Sequence, residues 1–208
     1  MTDTALLALL RVIVNDDSAA AKRILAESPQ LAREPLASGA TRSRAQDFYF
    51  DEIRHYAYEG DTALHLAAAG YRIDVIPALL GAGADVRARN RRGAEPLHYA
   101  ADASPGTATW DPDAQAATIV ALIRAGADPD ALDKSGVTPL LRAVRTRGAA
   151  AVQALLEHGA DPELANRRGH KPADLATRPT GRGGSGSPEA KEQQALIIQL
   201  LTDRSDTP

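Results

Sequence analysis

The carboxylates Asp128, Asp130 and Asp133 lie close together in the sequence and superficially suggest a calcium-binding loop. Such a loop also needs a central glycine for its sharp turn and a closing glutamate that supplies two ligand oxygens. In this sequence the glycine and the glutamate are both misplaced relative to the aspartates. We therefore expect the three residues to form a polar turn, and we expect no metal site.

The sequence gives equally little support for metal binding or catalysis by histidine, or for a catalytic nucleophile. The histidines stand at positions 55, 65, 98, 158 and 170, and no two of them have the H-x-x-x-H spacing of zinc ligands. His55 and Glu59 could hold an acid–base pair, but a strand that enters the next structural unit explains them better. No G-x-S-x-G motif occurs, and the glycines of 181–186 follow no strand, so they predict no phosphate-binding loop. We expect neither catalysis nor a cofactor.

The composition is that of a folded protein. Of 208 residues, 44% are hydrophobic and 25% are charged, and no cysteine is present for a disulfide or a thiolate nucleophile. The net charge of -3 argues against a dedicated nucleic-acid-binding protein, which would carry a strong basic excess. Asp3 precedes the first apolar run where a secretory signal would carry Lys or Arg, and the run is too short to span a membrane. We expect a cytoplasmic protein that binds neither nucleic acid nor membrane.

Two sequence markers recur with one period. The octapeptide GDTALHLA, which begins at Gly60, returns in related form as GAEPLHYA, GVTPLLRA and GHKPADLA, with steps of 33, 43 and 33 residues. A Gly-Ala-Asp marker recurs with steps of 43 and 33 residues. Because two markers keep the same period, a single structural unit has been copied, and one copy has been lengthened.

A 33-residue period with a T-P-L-H-x-A core resembles the ankyrin repeat. The resemblance implies an all-α ankyrin-repeat solenoid of about five helix-turn-helix units, with short β-hairpin loops and one longer hairpin-like insertion at 33–58. One unit cannot bury its apolar side chains alone, so the units must stack. We expect a single domain over 1–208: an N-terminal capping repeat (1–32), an insertion (33–59), first, second and third repeats (60–92, 93–135, 136–168) and a C-terminal capping repeat (169–202).

In the ankyrin family the threonine and the histidine of T-P-L-H form hydrogen bonds that fix the turn and connect neighbouring repeats. Thr62 and His65 match both positions, whereas His98 matches only the second. Leu141 replaces the histidine in the third repeat, and the last unit has neither residue. We interpret His65 and His98 as structural residues and expect weaker connections toward the C-terminal end.

The segment 48–58 is the least repeat-like part of the chain, and it holds five of the eight aromatic residues. Its composition predicts strands. In one interpretation the strands pair as a hairpin whose rings cover the edge between the first cap and the first repeat. In the other, some rings stay exposed as anchors for a partner, since tyrosine dominates interface hot spots. We favour the structural role for Phe48, Phe50 and Ile53, and keep Tyr49, Tyr56 and Tyr58 as contact candidates.

Ankyrin proteins typically bind other proteins with their hairpin tips and the inner helices of a concave face. The resemblance therefore implies a non-catalytic protein-protein interaction module. The alternative is an accessory or regulatory subunit whose insertion forms a small-molecule or enzyme-docking pocket, which a pocket lined by Tyr56, Tyr58 and Tyr71 would favour. A third possibility is a purely structural scaffold.

The hairpin tips are basic, because the sequence Asn-Arg-Arg-Gly at 90–93 recurs unchanged at 166–169. These arginines either keep the tips solvated or form a ridge that binds an acidic segment of a partner protein, where charge helps rate and orientation more than affinity. We expect a monomer that binds one such partner. The candidate partner-binding residues are Tyr49, Tyr56, Tyr58, Arg89, Arg91, Arg92, Asp102, Trp110, Lys134, Arg145, Arg167 and Arg168.

Overall fold

Short helices in two rows build the molecule, which a computed structural model describes for residues 2–179 and 186–205. The inner row consists of α1 (Thr2–Val14), α3 (Ala63–Ala69), α5 (Pro96–Ala100), α7 (Pro139–Thr146) and α9 (Pro172–Ala176). The outer row consists of α2 (Ser18–Glu27), α4 (Ile76–Gly81), α6 (Pro112–Arg124), α8 (Ala149–Glu157) and α10 (Pro188–Ser205). Each inner helix packs on the next, as do α6, α8 and α10 in the outer row. The predicted helix-turn-helix solenoid is therefore confirmed.

The marker glycines explain where the inner helices begin. The four glycines that open the marker have φ between 71° and 85°, a left-handed conformation that costs glycine little. Three of the helices that follow begin at a proline, whose missing N–H would have no partner in a first turn. At the N-cap of α7, Thr138 Oγ1 accepts a hydrogen bond from the N–H of Leu141 at 3.1 Å.

Two buried histidines connect successive repeats. Nδ1 of His65 accepts a bond from the backbone at the start of its own helix, so Nε2 carries the proton and lies 3.1 Å from the carbonyl of Ala94 in the second repeat. His98 forms the same pair of bonds one repeat later and reaches the carbonyl of Val137 at 3.0 Å. Leu141, in the corresponding place, has no polar atom to continue the series. The structural reading of both histidines fits this geometry.

One apolar core runs from α1 to α10. It includes fully buried leucines in successive inner helices, such as Leu10, Leu64, Leu97 and Leu140. Each such side chain contributes about 1.5–3 kcal/mol by leaving water. Because the inner helices that carry these leucines pack on one another, the units stabilise one another.

The insertion forms the hairpin that its composition predicts. Strands β1 (Tyr49–Phe50) and β2 (His55–Tyr56) pair antiparallel, with Tyr49 opposite Tyr56. Ile53 in the connecting turn is buried, and Phe50 packs partly against the core. The hairpin extends beyond the edge of the first repeat, since the ring of His55 contacts residues of the second.

The stretch before the hairpin is fixed by backbone hydrogen bonds. The N–H of Leu36 donates to the carbonyl of Asp61 at 2.8 Å, and that of Ala40 donates to Ala57 at 2.7 Å. Gly39 crosses so close to Tyr58 that a Cβ atom would lie 2.3 Å from its backbone. Any other residue there would push the two segments apart, so the position requires glycine. Among the described helices, none is long and apolar enough to cross a membrane.

Candidate binding groove along the inner helices

Three adjoining cavities form a groove along the inner helices. The hairpin cavity, about 160 Å³, lies between the hairpin and helices α5 and α7. The central cavity, about 290 Å³, shares Arg92, Arg142 and Arg145 with it. The C-terminal cavity, about 340 Å³, shares Ser135, Val137 and Arg145 with the central one. The groove thus passes without a break from the insertion to the last unit.

The lining of this groove is cationic although the whole chain is slightly acidic. Only two carboxylates, Asp102 and Asp133, accompany seven basic side chains in the described lining. The basic residues are Arg54, Arg92, Lys134, Arg142, Arg145, Arg168 and Arg178. An excess of one sign in a cleft attracts a ligand of the opposite sign. We call this feature the cationic groove.

Arg142 forms the floor where the hairpin and central cavities meet. Its side chain is only 10% exposed. Nη1 donates to the carbonyl of His98 at 3.2 Å and lies 3.3 Å from a carboxylate oxygen of Asp102. The guanidinium also stands over the ring of Tyr99, 5.8 Å from its centroid, while Nε has no hydrogen-bond partner among the described residues. These contacts hold the guanidinium of Arg142 in place, yet its Nε–H donates no hydrogen bond within the described residues.

Asp102 connects the insertion to the repeats. One of its carboxylate oxygens lies 3.3 Å from Nε2 of His55 and 3.3 Å from Nη1 of Arg142. Burial by itself would raise the pKa of Asp102, but the charge of Arg142 and the hydrogen bond from His55 outweigh it and hold the pKa below its ordinary value. The carboxylate is therefore ionised at neutral pH and holds Arg142 and His55 in place.

The ring of Tyr58 contacts two arginines, Arg91 and Arg92, in the loop between the first and second repeats. The guanidinium of Arg92 lies 4.4 Å from its ring centroid and that of Arg91 lies 5.6 Å away. Stacking of this kind orients an arginine without consuming its hydrogen-bond donors. Arg91 directs its donors to the carbonyl of Ala40, whereas Arg92 lines the cationic groove. Lys134 continues the row, since its Nζ donates to the carbonyl of Arg91 at 2.7 Å.

The other aromatic candidates are divided between two sides of the hairpin. Tyr56 lines the hairpin cavity, and its ring centroid lies 4.7 Å from that of Tyr49. On the far side, a further cavity of about 220 Å³ shares Arg54, His55 and Asp102 with the hairpin cavity, and it is lined by Tyr71 and Trp110. Trp110 Nε1 donates to Gln115 at 2.9 Å, which pins its own loop. Tyr56, Tyr58 and Tyr71 therefore do not line a single pocket.

The candidate residues from the sequence thus separate into two groups. The structure brings seven of them together in the cationic groove: Tyr56, Tyr58, Arg92, Asp102, Lys134, Arg145 and Arg168. The other five lie outside the described lining: Tyr49, Arg89, Arg91, Trp110 and Arg167. Arg89 is an example, since its guanidinium is 3.0 Å from the carboxylate of Glu95.

Sequence reasoning missed Tyr99 and Arg142, which are central to the hairpin cavity. Both could have been found, because they precede Asp102 and Arg145 by three residues. Side chains three apart on a helix lie on the same face. Arg54 and Arg178 had no such signal, since their positions depend on the turn of the hairpin and on the end of α9.

The aspartates Asp128, Asp130 and Asp133 form a polar turn, as predicted. Asp128 accepts a hydrogen bond from the N–H of Asp130 at 3.0 Å. Asp133 accepts from Ser135 and Val137 at 2.7 and 3.0 Å. These carboxylates therefore close the turn between the second and third repeats. The glycine-rich stretch at 181–185 lies outside the described residues.

Comparison with known families agrees with the repeat geometry. A family model for the ankyrin repeat matches residues 59–91, and a model for ankyrin repeats in many copies matches residues 122–176. No curated protein matches the chain. The two matched segments contain three of the four glycines that open the marker, Gly60, Gly136 and Gly169, and the helix pairs α3–α4 and α7–α8. On these grounds the chain belongs to the ankyrin repeat family.

Proposed function

We propose that the chain is a non-catalytic protein-binding module that holds an extended segment of a partner protein in the cationic groove. Ankyrin repeats are in general protein-protein interaction modules, and members of the family are typically non-catalytic. The continuity of the groove is the observation that carries the proposal, because the three cavities share lining residues in pairs. An unbroken groove suits a chain segment better than a compact ligand.

The dimensions of the groove suit a short peptide segment. It crosses α5, α7 and α9, and packed helices lie about 8–10 Å apart. Two such steps amount to about 20 Å, which an extended chain covers with about six residues at about 3.3 Å each. The partner segment is therefore about six residues long and crosses the inner helices.

The charge of the groove favours an acidic segment. Arg92, Arg145 and Arg168 are exposed and spread over the three cavities, so carboxylates along the partner can meet them in turn. Exposed pairs of this kind contribute more to association rate and orientation than to affinity. Specificity then comes from the hairpin, whose Tyr56 and Tyr58 present large rigid rings at one end.

A pocket for a small molecule is less well supported. The cavities on the two sides of the hairpin measure about 160 and 220 Å³. Sites for drug-sized ligands usually measure about 300–1,000 Å³. These cavities accept a single functional group more readily than a whole ligand, so we retain protein binding as the proposed function.

Selection from a library of displayed peptides tests this function. We expect enrichment of extended acidic peptides that bind the wild-type protein and lose at least tenfold in affinity toward the Arg92→Glu/Arg145→Glu variant, about 1.4 kcal/mol or more. Arg23→Glu/Arg124→Glu, at exposed positions in the outer helices α2 and α6, is the matched control for net charge and should bind normally. Peptides that bind all three proteins equally well would show that the groove is not the binding surface.

A further inference from the structure

We propose that the hairpin cavity is the binding site for one phosphate group, carried by a phosphorylated side chain of the partner segment. The proposal rests on the proposed function and specifies its chemistry at one end of the groove. It concerns a pocket lined by Arg54, Arg92, Arg142 and Arg145.

The charge of this cavity exceeds what its own carboxylate can balance. Four guanidinium groups share a space of about 160 Å³ with the single carboxylate of Asp102. That space equals the volume of about five waters at about 30 Å³ each, which is room for one tetrahedral oxyanion. Asp102 is already engaged by Arg142 and His55 at 3.3 Å each. The remaining positive charge is therefore available to a ligand.

Arg142 supplies a prearranged donor group. Its burial and its bonds to His98 and Asp102 fix the guanidinium plane, and Nε lacks a partner among the described residues. A fixed, planar fork of N–H donors suits phosphate oxygens, and the cost of ordering the side chain has been met before the ligand arrives. Stacking on Tyr58 orders Arg92 in a similar way.

The backbone at Arg54 gives an independent indication. Arg54 has φ of 50°, in the left-handed region, at the turn of the hairpin. Glycine adopts this conformation at lower cost, so an arginine there is strained. Strained residues that persist cluster at functional sites. Arginine at this strained position puts a cation on the rim of the hairpin cavity. The less strained glycine would leave no charge there.

A phosphate balances this cavity better than a carboxylate. A phosphorylated side chain carries about -1.5 to -2 charges near neutral pH and three acceptor oxygens, whereas a carboxylate carries one charge. Clusters of arginine are a recurrent means of recognising phosphorylated segments. The neighbouring central cavity, with Lys134, is left for the acidic side chains of the same segment.

The test uses the whole protein and three small probes: inorganic phosphate, O-phosphoserine and acetate, at constant ionic strength. Calorimetry measures affinity, and the NMR signals of arginine Nε–Hε groups locate the site. We expect both phosphates to bind and to shift the Arg142 signal, with acetate at least tenfold weaker. Arg92→Gln/Arg145→Gln should lose at least tenfold in phosphate affinity, whereas Arg124→Gln should behave as wild type. All three substituted arginines are exposed, so the variants should fold.

The outcomes separate this proposal from the proposed function. Equal affinities for acetate and phosphate, or phosphate binding that survives in the double variant, would overturn the phosphate site. If selected peptides nevertheless bind in the groove, the proposed function stands without it. Phosphate binding at the hairpin cavity, without any peptide that binds the groove, would leave the phosphate site established and the protein-binding function refuted.

Discussion

The hydroxyl of Tyr99 lies 2.8 and 2.9 Å from the two carboxylate oxygens of Asp61, although the two residues belong to different repeats. Both side chains are buried. Asp61 also accepts hydrogen bonds from Asn90 at 2.8 Å and from the N–H of Tyr58 at 2.6 Å. A buried carboxylate is tolerable only when donors replace its lost water in this way. Because the ring of His55 lies 4.4 Å from that of Tyr99, the network also supports the hairpin.

Tyr99→Phe should lower the free energy of unfolding by about 1–3 kcal/mol, because it leaves a buried carboxylate with one donor fewer. Asp61→Asn should cost at least as much, since an amide N–H₂ would face donors. Urea unfolding measures both changes. Tyr49→Phe, at a half-buried position in the hairpin, is the control and should change stability by less than about 0.5 kcal/mol. Similar stabilities for Tyr99→Phe and the wild type would contradict this role for the network.

The protein should lose stability as the pH falls from 7 to 5. Burial, with the nearby charge of Arg142, lowers the pKa of His98 from 6.5 to about 4. The unfolded chain therefore binds a proton below pH 6.5 that the folded protein does not bind until about pH 4. At pH 5 this amounts to about 2 kcal/mol for His98, and His65, whose pKa burial also lowers, acts in the same direction.

Urea unfolding at pH 7 and pH 5 measures this loss. His98→Gln should be less stable than the wild type at pH 7. Its free energy of unfolding should fall less between pH 7 and pH 5, since the variant lacks one of the two histidines whose protonation favours the unfolded chain. Arg124→Gln, at an exposed position, leaves every histidine in place and should keep the slope of the wild type. A wild-type protein equally stable at pH 5 and pH 7 would exclude neutral buried histidines as the connection between repeats.

The positions of the repeats could be predicted from the sequence, whereas the lining of the cationic groove could be predicted only in part. Marker glycines and helical spacing are local signals, so the paired helices and the hairpin at 48–58 followed from them. Arg145 and Asp102 were found as helix positions that face a partner. The packing of His55 on Tyr99 and the place of Arg54 in the lining of the hairpin cavity depend on how the insertion folds back. The spacing of residues along the sequence does not predict contacts between two segments whose relative position depends on tertiary packing.

The C-terminal units should open more readily than the central ones. The histidine connection ends at His98, because Leu141 offers no polar atom to the following unit. We expect amide hydrogens in α9 and α10 to exchange faster than those in α3 and α5, since each helix opens with the free energy of its own local unit. Hydrogen exchange followed by mass spectrometry measures the difference. Equal protection along the whole inner row would mean that apolar stacking alone sets local stability.

Arg54→Gly should stabilise the protein and weaken phosphate binding together. Glycine relieves the left-handed strain of about 1–2 kcal/mol, and its greater freedom in the unfolded chain cancels part of the gain. We expect a net increase of about 1 kcal/mol in the free energy of unfolding, measured in urea. Arg54→Ala is the matched control, because it removes the charge but keeps the strain. Loss of stability in Arg54→Gly would show that the arginine serves the fold and not the cavity.

Site-specific photo-crosslinking tests the binding groove most directly. A photoreactive amino acid replaces Ser135, an exposed residue shared by the central and C-terminal cavities, or Arg124 on the outer helix as the control. An acidic peptide selected against the wild type is then added. We predict a crosslinked product from position 135 that disappears when Arg145→Glu is added, and none from position 124. A product from position 124, with none from position 135, would contradict the assignment of the cationic groove as the binding surface.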